Sequence, residues 1–167
     1  MHYAFEDREN LYLIIDLMSG GDLRYHIGKN RRFSEEQTSK SCVMYGTEWM
    51  TIIRIFESLT NFWHSVIWIN VEFFIACMLL CLEYLHKNAI LHRDIKPENL
   101  VFDENGFLRV TDLGIARLWN PENSKDTSGT PGYMAPEVMC RQNHGVAVDY
   151  FAMGVIAYEC MFGKRPY

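Results

Sequence analysis

The stretch ILHRDIKPENLVF, Ile90 to Phe102, decides how the chain is read. Between Ile90-Leu91 and Leu100-Val101-Phe102 it packs His92, Arg93, Asp94, Lys96, Glu98 and Asn99. A polar segment that only had to reach solvent would not be walled by apolar residues at both ends. The walls anchor the backbone in a core while the charged side chains converge on one place. Two carboxylates, a lysine and an amide in one short loop suit a polyanionic substrate held through metal ions.

The flanks give the loop its scaffold. Downstream, NLVFDENGFLRVTD predicts two short strands around a turn, with Asn105-Gly106 as the pair at positive φ. Upstream, Phe73 to Lys87 predicts a mostly buried helix that ends near Asn88. GVAVDYFAMGVIAYECMFG is apolar on nearly every face and predicts a core helix surrounded by other elements. LYLIIDLM, Leu11 to Met18, has the short β-branched look of a buried strand. SGGDL then breaks the chain, and Asp22 to Gly28 suits a short helix capped by Asp22. Ser34, with Gln37 three residues on, makes a capping box for a further helix.

The chain has 167 residues, 49% apolar and 14% aromatic, enough for one domain that buries about two-thirds of its unfolded surface. A net charge of −5 without a Lys/Arg-rich block gives no reason to expect nucleic acid as the partner. Five cysteines without metal-type pairing, and no N-glycosylation sequon, read as reduced core thiols of an intracellular, cytoplasmic protein. Glu6, Asp7, Arg8 and Glu9 interrupt any signal peptide. Glu72 cuts the apolar run from Ile67 to Leu82, leaving Phe73 to Leu82, about half of what a bilayer-spanning helix needs.

Five motifs in order resemble the catalytic domain of eukaryotic protein kinases. HRDIKPEN is similar to the catalytic loop, TDLG to the metal-binding loop, and GTPGYMAPE to the end of the activation segment. VDYFAMG resembles the start of the family's central helix, and LYLIIDLMSGGDL its hinge strand and linker. The resemblance implies an α+β fold with a mostly helical C-terminal lobe and a remnant of the N-terminal lobe sheet. With FSEE, it leans toward the AGC-like Ser/Thr kinases. The implied activity is phosphoryl transfer from Mg-ATP to a Ser/Thr hydroxyl of a protein substrate, with ATP and Mg²⁺ as cofactors. The rival readings are a non-catalytic interaction module and a small-molecule phosphotransferase, the latter disfavoured by GTPGYMAPE.

By that resemblance Asp94 orients the attacking hydroxyl and accepts its proton, Lys96 faces the γ-phosphate, and Thr130 touches both. Asn99 and Asp112 would hold Mg²⁺, with the strand–turn–strand unit between them fixing their separation. Asp16 and Met18 would meet the adenine through their backbone, with Ile15 as gatekeeper and Val101 beneath the ring. Asp22 would face the ribose or a basic substrate residue, and Glu98 a substrate arginine. His92 would support the loop, Asp149 would accept hydrogen bonds from the loop backbone, and Glu137 would need an arginine partner. A phosphorylated threonine three residues before Gly129 would pair with Arg93 in many relatives. Here that position is Asp126, a built-in partner; the alternative is that Thr127 or Ser128 takes the phosphate.

Three departures stand against the resemblance. No glycines are spaced G-x-G, so the phosphate-covering loop is missing from the sequence and this chain alone is expected to be inactive. Residues 1–18 would be the end of the N-terminal lobe and hinge, and 19–167 an incomplete C-terminal lobe that lacks the helices covering the central one. Residues 41–72, with Trp49, Trp63 and Trp68, interrupt what would otherwise be one helix from Phe33 to His86. They are either an evolved docking surface or translated non-coding sequence.

Overall fold

The computed structural model describes residues 2–30, 62–123 and 125–167, the side chains of 30 and 62–70 apart. The capping box at Ser34 and Gln37, and residues 41–61 of the expected insertion, lie outside this set. Strands β1 (Tyr3–Glu6) and β2 (Leu11–Ile14) form an antiparallel hairpin, followed by helix α1 (Leu23–Asn30). Helix α2 (Phe62–Lys87) leads into β3 (Ile90–Leu91). Strands β4 (Leu100–Phe102) and β5 (Leu108–Val110) make a second hairpin. Strand β6 (Arg117–Leu118) returns to pair with β3, and helices α3 (Pro136–Met139) and α4 (Ala147–Phe162) complete the chain.

The core is where α1, α2, α4 and the β4–β5 hairpin meet. On α2, Val71, Phe74, Met78 and Leu82 recur at three- and four-residue intervals, which puts them on one face of a 3.6-residue helix. They pack with Leu23 and Ile27 of α1, Leu100, Phe102 and Leu108 of the hairpin, and Ala152, Val155, Ile156 and Cys160 of α4. Burial pushes the Cys160 thiol up to about 12, so it behaves as a small core hydrophobe. Cys77 and Cys81 are half-buried and Cys140 is exposed, so only one of the described thiols is fully in the core.

Four sequence expectations are corrected here. The β2 strand is exposed along its whole length rather than buried: among the described residues no layer covers the β1–β2 ribbon. Helix α2 begins at Phe62, not Phe73, and passes the 72/73 boundary without a break; Val71 already belongs to the core. Helix α4 buries one stripe, while Tyr150 and Phe162 stay exposed, so it lies against the core rather than inside it. In the β4–β5 turn only Gly106 has positive φ, at 84°. Asp103 replaces the second left-handed residue: its carboxylate accepts from Asn105 N at 3.0 Å and Phe107 N at 2.9 Å, closing a five-residue loop. The expected cap on α1 is present, with Tyr25 N donating to Asp22 Oδ1 at 2.7 Å.

Candidate active site

Residues 92–99 run as an irregular loop from β3 into a 3₁₀ turn (Pro97–Asn99), and two anchors hold it. His92 is fully buried, and its Nε2 lies 3.1 Å from the carbonyl of Thr111, which ties the loop to the far end of the β4–β5 hairpin. Asp149, 1% exposed at the start of α4, accepts from His92 N at 3.0 Å and Arg93 N at 2.8 Å. His86 Nε2 meets the same carboxylate at 2.8 Å. These bonds hold Arg93 in the left-handed region at φ 69°, a conformation that costs a non-glycine residue about 1–3 kcal/mol.

Past that bend the Asp94 carboxylate becomes the focus of the site. Its Oδ2 accepts from Lys96 Nζ at 2.7 Å and Asn99 Nδ2 at 3.1 Å; its Oδ1 accepts from Thr130 at 2.6 Å. Lys96 Nζ also donates to the Thr130 hydroxyl at 3.0 Å, and Asn99 Nδ2 to the Asp94 carbonyl at 2.9 Å. Burial opposes the charged form of Asp94. The bonds from Lys96, Thr130 and Asn99 outweigh it and hold the carboxyl below its ordinary range. Asp94 is therefore ionised at neutral pH, with an aliphatic hydroxyl already donating to it.

The β4–β5 register pairs Leu100 with Val110, and one step on, Thr111 N donates to Asn99 O at 2.9 Å. Asn99 is thereby held opposite Thr111, the residue before Asp112, at the base of the hairpin. Asp112 has φ 62°, which aspartate tolerates, and its Oδ1 accepts from Gly114 N at 3.1 Å. It is exposed, while Asn99 is buried. Among the described residues no three His, Cys, Asp or Glu side chains gather into a metal-binding cluster. The donor set still fits Mg²⁺, which binds through one or two protein oxygens and completes its shell with water and phosphate.

Arg93 connects this loop to the segment after TDLG. Its Nε and Nη2 donate to the Ile115 carbonyl at 2.8 and 2.5 Å, and its Nη1 is paired with Asp126. Arg117 Nη1 approaches the same Asp126 oxygen at 3.1 Å, and Ser128 donates to the other at 3.1 Å. Burial disfavours the Asp126 charge, but the bond and charge of Arg93 dominate and hold its pKa below the ordinary value. Thr127 beside it is exposed.

On the opposite flank, Gly20 N donates to Phe102 O at 3.0 Å and Phe102 N to Gly21 O at 2.9 Å, bringing Asp22 against Val101. Asp22 is spent as the α1 cap, and Asp16 pairs with His2 at 2.7 Å. Ile15 is exposed and Met18 half-buried. Glu98 does not wait for a substrate: Arg24 Nε donates to it at 2.8 Å, and Arg24 Nη1 to Glu159 at 2.7 Å. Tyr133 donates to Glu159 at 2.5 Å and also pairs with Arg24. Burial and then the neighbouring Glu159 drive the Tyr133 phenol far above its ordinary pKa. Glu137 is half-buried, so its lack of an arginine partner among the described residues does not strand a buried charge.

The family model of the protein kinase domain matches residues 1–167. The chain belongs to the protein kinase family. It is 36% identical over 169 residues to a probable serine/threonine-protein kinase of Dictyostelium discoideum, covering 100% of this chain and 30% of the relative. To serine/threonine-protein kinase 32B of Homo sapiens it is 36% identical over 171 residues, covering 99% and 33%. To serine/threonine-protein kinase sgk-1 of Caenorhabditis elegans it is 32% identical over 170 residues, covering 100% and 29%. The chain spans about a third of the length of these curated relatives. Sequence reasoning missed His86 and the pairing of Glu98 with Arg24, which joins it to Tyr133 and Glu159. His86 had one local signal, a basic residue in the last turn of a helix.

Proposed function

We propose that this segment carries the phosphoryl-transfer centre of an ATP-dependent serine/threonine protein kinase. One observation supports the reading above the others: the Thr130 hydroxyl donates to Asp94 Oδ1 at 2.6 Å beside the Lys96 ammonium. A substrate serine or threonine would make the same O–H to carboxylate bond. Asp94 would orient that hydroxyl and take its proton as the oxygen bonds to the γ-phosphorus and the bond to the ADP oxygen breaks. The loose transition state asks the protein for position and charge, and Lys96 supplies a cation beside the carboxylate that receives the proton. Asn99 and Asp112 would hold Mg²⁺, which supplies charge neutralisation on the phosphates when bound. The ATP base would lie between Val101 and the backbone of Asp16 and Met18, next to Ile15 and Asp22.

We assign residues 1–18 to the hinge side of the fold, 19–167 to the C-terminal lobe, and 41–72 to an insertion before the catalytic loop. Asp126 acts as a permanent partner of Arg93, in the place of a regulatory phosphate. A basic residue near the target Ser/Thr is read by Glu98 in exchange for Arg24. The test is γ-phosphate transfer from Mg-ATP to serine peptides by a complete kinase domain that carries this segment, with and without Asp94→Asn.

A further inference from the structure

Arg165 is a cation near the site that has no ion pair among the described residues. Arg24 is neutralised by Glu98 and Glu159. Arg165, just past the end of α4, is exposed, and no carboxylate meets it among the described residues. Its guanidinium lies 5.7 Å from the centroid of the Tyr133 ring, and its Nη1 reaches the Pro131 carbonyl at 3.4 Å. Gly132 leaves the space it occupies. A Cβ there would fall 2.0 Å from Arg165 Nη1, and its φ of 93° disfavours any side chain. A glycine in GTPGY thus opens the seat that the arginine takes.

That seat is close to the chemistry. Thr130 donates to Asp94, and Pro131 is the next residue, so Arg165 contacts a carbonyl within one residue step, about 3.8 Å of chain, of the catalytic hydroxyl bond. Thr130 already stands at Asp94 Oδ1, so a polypeptide that presents a hydroxyl to that carboxylate would lie beside residues 130–133. Lys164, next in sequence, is also exposed and adds to the local positive charge of a chain that is −5 overall. The geometry points to Arg165 as a specificity-determining residue that takes an anionic side chain, carboxylate or phosphate, of the protein substrate a few residues from the phosphorylated Ser/Thr. This rests on the kinase reading, but it can fail separately, because it concerns peptide binding without nucleotide.

The test is fluorescence anisotropy of labelled serine peptides with the 167-residue chain, without ATP or Mg²⁺. One peptide is neutral; in the others a single Asp, or a single phosphoserine, is walked through the five residues on either side of the serine. An exposed ion pair predicts binding about two- to fivefold tighter at one or two adjacent positions at low salt, fading as salt shortens the Debye length. Phosphoserine, with more charge, should exceed Asp at the same position if the natural source is a primed substrate; equal affinities assign a plain acidic residue. Arg165→Ala should reduce the acidic-to-neutral ratio to one, and Arg165→Glu should invert it. An unchanged ratio in Arg165→Ala, no preference in the wild type, or no measurable binding of any peptide would overturn the assignment. Thermal melts of the Arg165 variants, expected to match the wild type because Arg165 is exposed, exclude loss through unfolding; a variant that melts early is replaced by the milder Arg165→Gln.

Discussion

Replacing Asp149 with alanine should loosen the catalytic loop more than any change within the loop itself. Asp149 is 1% exposed and accepts from His92 N, Arg93 N and His86 Nε2 at 3.0, 2.8 and 2.8 Å. Alanine leaves two backbone N–H groups without their acceptor, and each buried orphan costs about 1–3 kcal/mol. His86 keeps a second contact, with the Tyr150 hydroxyl at 3.3 Å, so its share is smaller. The left-handed bend at Arg93 also loses the bond that holds it. The sum, with relaxation allowed, is about 3–5 kcal/mol, the range for breaking a buried charged network. Asp149→Asn keeps the volume and one acceptor oxygen and should cost about half as much. Urea denaturation of the 167-residue chain at neutral pH reads both, with Glu83→Ala as a surface reference that removes the exposed 2.5 Å pair to Lys87. That reference should shift stability by no more than about 0.5 kcal/mol. If Asp149→Ala unfolds at the same urea concentration as Glu83→Ala, the anchoring role is wrong.

Other outcomes follow from the same geometry. In a complete kinase domain carrying this segment, Asp126→Ala should remove the carboxylate from Arg93 and lower both activity and stability, the latter by about 1.5–3 kcal/mol, while Thr127→Ala should leave both unchanged. Phosphate incorporation by enzyme expressed without an upstream kinase, with mass spectrometry of residues 124–130, checks this. Asp94 and Asp126 both titrate below their ordinary value of 3.8, so the stability they contribute is fully present above that value. It is lost as the pH falls through their lower folded-state values. The urea midpoint should therefore be flat at neutral pH, fall below about pH 4, and fall less steeply in Asp126→Asn. Asp112→Asn should raise the Mg²⁺ concentration needed for half-maximal turnover, measured by titrating Mg²⁺ at fixed ATP, with little change in the urea midpoint.

How much of this was legible in the sequence depends on the range of each interaction. The loop from His92 to Asn99 is local, and its apolar walls announced a backbone fixed at both ends. The Asp22 cap and the β4–β5 hairpin were equally readable, since caps and turns are settled within a few residues. Asp126 could be placed against Arg93 by counting from Gly129, because the motif carried the geometry. The exposure of β2 was not readable, since an apolar run says that burial is favourable and not that a neighbour is there. Nor was the cluster of Arg24 with Glu98, Tyr133 and Glu159, whose members are up to 135 residues apart and leave no periodic trace. The seat of Arg165 over Gly132 belongs to the same class: it depends on a missing side chain at one place and an unpaired charge at another.

The most direct test of the central claim is the transfer of γ-phosphate from Mg-ATP to a serine peptide by a complete kinase domain carrying this segment, compared with its Asp94→Asn variant. Asp94 is assigned the hydroxyl's proton, so kcat should drop by about 10²- to 10⁴-fold while the KM for ATP changes little. An Asp94→Asn enzyme that turns over at the wild-type rate would contradict the account.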